Sequence, residues 1–121
     1  MHELAIADAI VTIASRHAKG RPVSRVETRV GYLRQVVPDS LRFAFELITA
    51  GTELDGAELA IEEVPARVRC KACEAETVLE DFPAHCVACG ALDVEVTAGE
   101  ELLVESIDVE DGSEAWQRQV A

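Results

Sequence analysis

Two Cys-x-x-Cys pairs, Cys70-Lys71-Ala72-Cys73 and Cys86-Val87-Ala88-Cys89, stand twelve residues apart and contain every cysteine of the 121-residue chain. No other feature restricts the fold as strongly. A Cys-x-x-Cys turn brings two sulfurs within reach of one ion. Two such turns complete a tetrahedron with no open position, the pattern of a structural Zn²⁺ site. Iron is the other metal that a four-sulfur tetrahedron holds. Two disulfides would need an oxidising compartment. The start, Met1-His2-Glu3, carries no basic region, so no secretory leader is expected, and paired Cys-x-x-Cys turns in a cytosolic protein read as metal-binding or redox-active. The expectation is a zinc ribbon, short hairpin strands pinned by one ion, with Cys70, Cys73, Cys86 and Cys89 as ligands.

Charge narrows the partners. With 11 basic and 23 acidic residues the net charge is −12. A chain this acidic repels phosphate backbones and anionic lipids, and suits cations or basic protein surfaces. No apolar run approaches the roughly 18–20 residues of a membrane span. The prediction is a cytoplasmic protein with no nucleic-acid or membrane partner. The apolar fraction of 49% argues for a folded chain. The length suits one domain, or one small domain plus a metal-stapled subdomain.

Periodicity supplies the rest of the fold. Residues 2–19 read as an amphipathic helix: Leu4, Ala7, Val11, Ala14 and Ala18 recur at helical spacing, widened by Ile6, Ile10 and Ile13. Gly20 and Pro22 end it. Residues 23–33 alternate as a half-buried strand, with Val26, Thr28, Val30 and Tyr32 on one face. Pro38-Asp39-Ser40 opens a second helix whose stripe is Leu41, Ala44, Phe45 and Ile48, with Leu47 beside it, and Gly51 closes it. Asp55-Gly56 is a turn signal. Residues 57–64 and 101–109 alternate as strands. From Glu110 the pattern is lost, and Trp116 is the sole apolar anchor of a tail that docks weakly or stays disordered. The predicted fold is α+β: two helices packed on a small three-stranded sheet, with an inserted zinc-ribbon domain. Residues 1–66, completed by a strand at 99–109, form one domain, 67–98 form the ribbon, and 110–121 form the tail.

Outside the cysteines, the three histidines are the residues of chemical interest. His85 precedes Cys86 and reads as an exposed loop residue, or as a ligand substitute or second-layer donor for the metal. His17, in the last helical turn, complements the helix dipole. His2 differs. A free α-amine, the amide nitrogen of residue 2 and the imidazole can chelate one ion through fused small rings. Such a field is tetragonal and suits Ni²⁺ or Cu²⁺. Glu3 offers its amide or carboxylate as a further donor.

Met1-His2-Glu3-Leu4 followed much later by the paired cysteines resembles the HypA family, nickel-incorporation accessory proteins of NiFe-hydrogenase maturation. Gly31-Tyr32-Leu33, Val37-Pro38-Asp39-Ser40-Leu41-Arg42-Phe43-Ala44-Phe45, Leu54-Asp55-Gly56-Ala57-Glu58-Leu59 and Glu101-Leu102-Leu103-Val104-Glu105-Ser106-Ile107 are similar to that family too. The resemblance implies a nickel domain of two helices on a small sheet and a separate zinc domain. It implies Ni²⁺ bound by His2 with the Met1 amine and nearby backbone amides; Met1, His2 and Glu3 are therefore the expected nickel residues, Glu3 from the donor reading above. It also implies a partner GTPase that handles nickel, and delivery to the hydrogenase large subunit, with urease served by some relatives. A nickel metallochaperone is not an enzyme. A homodimer through exchange of the zinc subdomain stays open.

Two other functions compete. One is a zinc-ribbon module that binds protein or nucleic acid; its nucleic-acid form is disfavoured by residues 70–90, where Lys71 faces Glu74, Glu76, Glu80 and Asp81, and Phe82 alone can stack on a base. A rubredoxin-like iron electron carrier commonly has glycine after the second knuckle cysteine, and here Glu74 follows Cys73.

Overall fold

The computed structural model describes residues 2–80, 84–110 and 112–120. Met1, Asp81 and Phe82, each weighed above, lie outside the described residues. The chain runs α1 (His2–Ala18), β1 (Val23–Gly31), a 3-10 turn (Tyr32–Arg34), α2 (Pro38–Thr49), β2 (Glu58–Val64), β3 (Arg67–Cys70), β4 (Glu76–Val78), β5 (Val94–Ala98), β6 (Leu102–Val109) and β7 (Gly112–Gln119). One sheet has the strand order β2-β1-β6-β7 and the other β4-β3-β5. The architecture is α+β, as the periodicity predicts. Two units are distinct: Met1–Arg29 with Val36–Glu62 and Leu102–Ala121, and Val30–Gln35 with Glu63–Glu101.

In the first unit, α1 buries Ala7, Ile10, Ala14 and Ala18, a spacing of three and four that lines one helix face. Leu4, expected at the head of that stripe, is 42% exposed, so the buried line is rotated toward Ile10. Three alanines on this line let α2 come close, and Leu41, Ala44 and Phe45 complete the core with Val26, Leu54, Leu59, Val104 and Ile107. Fully burying a side chain such as Phe45 or Leu41 is worth about 1.5–3 kcal/mol. Leu47, expected beside this core, is 60% exposed, and Phe43 on the same helix is 63% exposed. The β1 hydroxyl of Thr28 is buried but donates to the Ala60 carbonyl at 2.8 Å. The strand ends at Gly31, one residue before Tyr32, which was expected to continue it.

β7 is the principal departure from the sequence reading. It pairs antiparallel with β6, from Val109 opposite Gly112 to Leu103 opposite Gln119, and makes the sheet four-stranded rather than three-stranded. The expected tail is therefore a strand. Backbone pairing along β6 holds it, and so do two side-chain anchors on α1 and the residues after it. The Arg21 guanidinium makes a two-point pair with Glu114 at 2.5 and 2.9 Å. The Trp116 ring stacks on His17 with centroids 3.6 Å apart.

In the second unit, β3 lies between β4 and β5 and pairs antiparallel with both. Val68, Ala66, Leu79, Cys70 and Cys86 are buried here. The Gly31 amide donates to the Glu101 carbonyl at 2.6 Å, and a Cβ on Gly31 would lie 2.0 Å from the Gly99 carbonyl oxygen. Only glycine permits that approach.

Candidate metal centre

The ribbon's first knuckle begins where β3 ends. The Cys70 amide donates to the Ala75 carbonyl at 2.9 Å, and the Glu74 amide to the Cys70 carbonyl at 2.9 Å. The second knuckle repeats both bonds: Cys86 to Ala91 at 2.9 Å and Gly90 to Cys86 at 2.8 Å. Closing such a turn requires a left-handed residue after the second cysteine. Gly90 supplies it with φ 77°, and Glu74 supplies it with φ 64° despite its side chain. The absence of glycine after Cys73 therefore does not change the knuckle.

These turns aim four sulfurs at one point. Cys70 and Cys89 are 3.6 Å apart, as are Cys73 and Cys86, and all four sulfurs lie within 4.8 Å of one another. Sulfurs about 2.3 Å from a tetrahedral centre would be about 3.8 Å apart, so the cluster has the dimensions of a metal site. No cysteine is in a disulfide. Among the described residues this is the one cluster of metal-ligating side chains, and His85 is not in it. Cys70 and Cys86 are buried, whereas Cys73 and Cys89 are exposed.

Without a cation the four thiols cannot all ionise. The Cys89 and Ala88 amides pull the Cys86 thiol down to about 6. Amide hydrogen bonds from Cys73 and Ala72 lower Cys70 as well. At Cys73 the Ala75 amide lowers the pKa, but hydrogen bonding to the Cys86 and Cys70 sulfurs prevails and pushes it up to about 12. Cys89 is likewise raised, by the Cys70 and Cys86 sulfurs against the Ala91 amide. The thiol form is thus favoured at the exposed Cys73 and Cys89, and the thiolate form at the buried Cys70 and Cys86, which receive the amides. A divalent cation would replace those protons.

The other candidate ligands lie at the start of α1, in the first unit. The His2 side chain is about half exposed, and its Nε2 lies 3.0 Å from Oε2 of Glu3, which is 18% exposed. Oε2 of Glu3 also accepts from the Val37 amide at 3.4 Å, which ties the residue preceding α2 to the start of α1. Partial burial raises the Glu3 carboxyl, but hydrogen bonds from its own and the Val37 backbone, with the His2 ring beside it, bring it below the usual carboxylate range. Leu4, Phe43 and Leu47, with Asp39 and Ser40, line a groove of about 490 Å³ next to Glu3. Spacing gives no sign of the Val37 contact, because it joins residues 34 positions apart. His17 does more than complement the helix dipole, since its ring is the platform for Trp116.

The family model described as hydrogenase/urease nickel incorporation, metallochaperone, HypA, matches residues 1–109. The chain belongs to the HypA family. Its similarity to the HypA hydrogenase maturation factor of Geotalea uraniireducens is 46% identity over 91% of this chain and 100% of that protein. To the HypA of Nostoc sp. it is 40% identical over 92% of this chain and 97% of that protein. To the HypA of Desulfatibacillum aliphaticivorans it is 42% identical over 98% of this chain and 95% of that one. The fold is similar to a solution structure of HypA protein, with TM-score 0.64 and 22% identity over 90% of this chain and 96% of that one. It is also similar to the solution structure of the Ni metallochaperone HypA from Helicobacter pylori, with TM-score 0.60 and 20% identity over 88% of this chain and 96% of that one. The HypA model ends at the last residue of β6, so β7 lies beyond the pattern that defines the family. Among the described residues no helix is long and apolar enough to cross a membrane.

Proposed function

We propose that this chain is a nickel metallochaperone, not an enzyme. It takes Ni²⁺ at Met1, His2 and Glu3 and delivers it during maturation of NiFe hydrogenase, with urease as a further recipient. The observation that carries the reading is family membership across residues 1–109, a match that includes the Met-His-Glu start. The partners that follow are a nickel-handling GTPase and the hydrogenase large subunit, and the setting is cytoplasmic. The exposed apolar groove beside Glu3 supports a protein partner meeting the chain next to the ion.

The local chemistry supports nickel at His2. With Nε2 facing Glu3, the ring leaves Nδ1 for metal, and Nδ1 with the amide nitrogen of His2 closes a chelate ring. Because α1 starts at His2, the amides of its first residues have no partner within the helix. The positive end of the helix dipole favours the anionic form such an amide takes as a ligand. Imidazole with deprotonated amide and amine makes the tetragonal field that Ni²⁺ prefers. In this arrangement Glu3 offers its amide as a donor while its carboxylate orients the imidazole, as carboxylates commonly do for metal-ligating histidines.

Zinc is the proposed resident ion of the four cysteines. Four sulfurs at tetrahedral spacing with no vacancy suit a structural ion, whose chemistry is to hold the fold and not to activate water. The test is a nickel titration of untagged protein in three forms: native start, one extra N-terminal residue, and His2→Ala, with zinc measured in each. Nickel should be lost from the last two while zinc stays. Near-stoichiometric nickel in all three would place the ligands elsewhere.

A further inference from the structure

We propose that the cleft between α1 and β7 is a binding site for a small dianion, an oxyanion-bearing molecule held between Arg16 and Arg118. The cleft measures about 300 Å³, at the small end of the range for ligand sites, and lies within the first unit. Its charged lining is Arg16, His17 and Arg118, and no carboxylate among the described residues lines it. In a chain with 23 acidic and 11 basic residues, that is the reverse of the average surface.

Both arginines are brought to the cleft without a partner. Arg118 stands opposite Val104 in the β6–β7 ladder, and opposite residues share a face of the sheet. Val104 is fully buried in the core it shares with α1 and α2, so β7 directs Arg118 toward the helix side. Arg16 comes from the last turn of α1. A cation there ordinarily serves the helix end, but Arg21 already takes the His17 and Ala18 carbonyls, at 2.9 and 2.8 Å. Arg21, Arg25, Arg29, Arg42 and Arg69 each meet a carboxylate within 3.4 Å. Among the described residues the guanidiniums of Arg16 and Arg118 meet none. Two like charges that line one cleft repel, and a dianion between them reverses the sign of that interaction.

The lining also selects the ligand. A guanidinium presents a planar fork that grips a carboxylate or phosphate at two points. Two such forks suit a molecule with two negative charges. Ala9, Ile13 and Val120 supply an apolar wall, which suits a short carbon body between those charges. Nucleic acid or an anionic membrane would meet the −12 of the whole chain, whereas a small dianion in the cleft meets chiefly the charges within a Debye length of about 8 Å. Arg118 and Val120 lie beyond residue 109, where the HypA model ends, so the site belongs to this chain and not to the pattern that defines the family.

His17 carries the stacked ring of Trp116, the single tryptophan of the chain, so binding beside His17 has a built-in optical reporter. The test titrates the full chain, without nickel, with inorganic phosphate and with succinate, against sodium chloride at matched ionic strength. Tryptophan emission and calorimetry both follow binding. One dianion or both should saturate the protein with a dissociation constant of about 1 mM, the strength of two charge-assisted contacts, and chloride should not. Phosphate alone would name a phosphate-bearing ligand, and succinate alone a dicarboxylate. Arg16→Gln and Arg118→Gln should each weaken binding at least about tenfold, the size of one lost charge-assisted hydrogen bond. Arg67→Gln, which removes the same charge from β3, should leave binding unchanged. No saturation with either dianion by calorimetry would overturn the proposal, and so would undiminished binding in both cleft variants. A glutamate polymer that binds more tightly than succinate would overturn the small-ligand assignment in favour of an acidic protein.

Discussion

Four sulfurs from two knuckles converge on a point that backbone hydrogen bonds define, whereas the donors proposed for nickel sit at the start of α1 with one carboxylate beside them. The first cluster spans residues from two hairpin turns and half of it is buried. The second uses consecutive residues, and the His2 side chain is 53% exposed. A site that surrounds its ion holds it as part of the fold, and a site at an exposed chain start can give its ion away. The contrast fits one resident ion and one cargo.

The largest effect expected from breaking this contrast is at the sulfurs. Cys73→Ser should take zinc from one per chain toward none, because three thiolates and a hydroxyl are a poor match for the tetrahedral sulfur field. Binding energy in a small metal domain is folding energy, so protection should collapse across Glu63–Glu101 while α1 and α2 keep their circular-dichroism signal. Full zinc in that variant would mean that the cluster is not the site.

Acidity should separate the two centres next. In the metal-free cluster Cys73 is pushed up to about 12, and Cys89 is raised as well, by hydrogen bonding to neighbouring sulfurs, so both favour the protonated form near neutral pH. Zinc bound by all four cysteines as thiolates would displace at least those two protons. Each displaced proton makes affinity rise tenfold per pH unit, which gives roughly a hundredfold per unit near neutrality. Below about 6 the Cys86 thiol also protonates and the dependence steepens. Competition titrations with a zinc chelator at several pH values measure the slope. A slope near zero would show that the thiols are already ionised in the empty site.

At the other centre, His2→Ala should cost more nickel affinity than Glu3→Gln, whose loss is that of an orienting group, about 10–100-fold. Glu3→Gln keeps an acceptor oxygen but loses the charge facing the imidazole. Nickel binding measured by calorimetry ranks the two. Equal losses would make the Glu3 carboxylate a ligand rather than an orienting group. Zinc content should not change in either.

How much of this the sequence discloses depends on the range of the interaction. The cluster of Cys70, Cys73, Cys86 and Cys89 is visible because knuckle geometry is local, and α1, α2, β1, β2 and β6 are visible because one buried face imposes a period. β7 is not, because Ser113-Glu114-Ala115-Trp116 has no apolar alternation and its anchors, Arg21 and His17, lie more than ninety residues earlier. A signal was present: Asp111-Gly112 after a strand is the same turn dipeptide as Asp55-Gly56. The exposure of Leu4 and Leu47 was hidden because a helical stripe read from spacing fixes its direction only to within a residue or so.

The smallest expected effect lies inside the sulfur site, where two knuckles with the same hydrogen bonds differ at one position. Glu74 and Gly90 both sit in the left-handed region, at φ 64° and 77°. A residue with a Cβ loses roughly 1 kcal/mol or more there relative to its preferred conformations. Glycine avoids that strain but has more unfolded freedom to lose, which offsets part of the gain. Gly90→Ala should therefore destabilise the ribbon by about 1 kcal/mol, since a Cβ at that position has open space and only the backbone angle resists it. Glu74→Gly should stabilise by less, a few tenths of a kcal/mol after the entropy offset. Thermal unfolding of the zinc-loaded variants gives both values, provided zinc stays stoichiometric. If Glu74→Gly instead destabilises by as much as Gly90→Ala, then the Glu74 side chain is itself holding the first knuckle, and the two halves of the site are not equivalent.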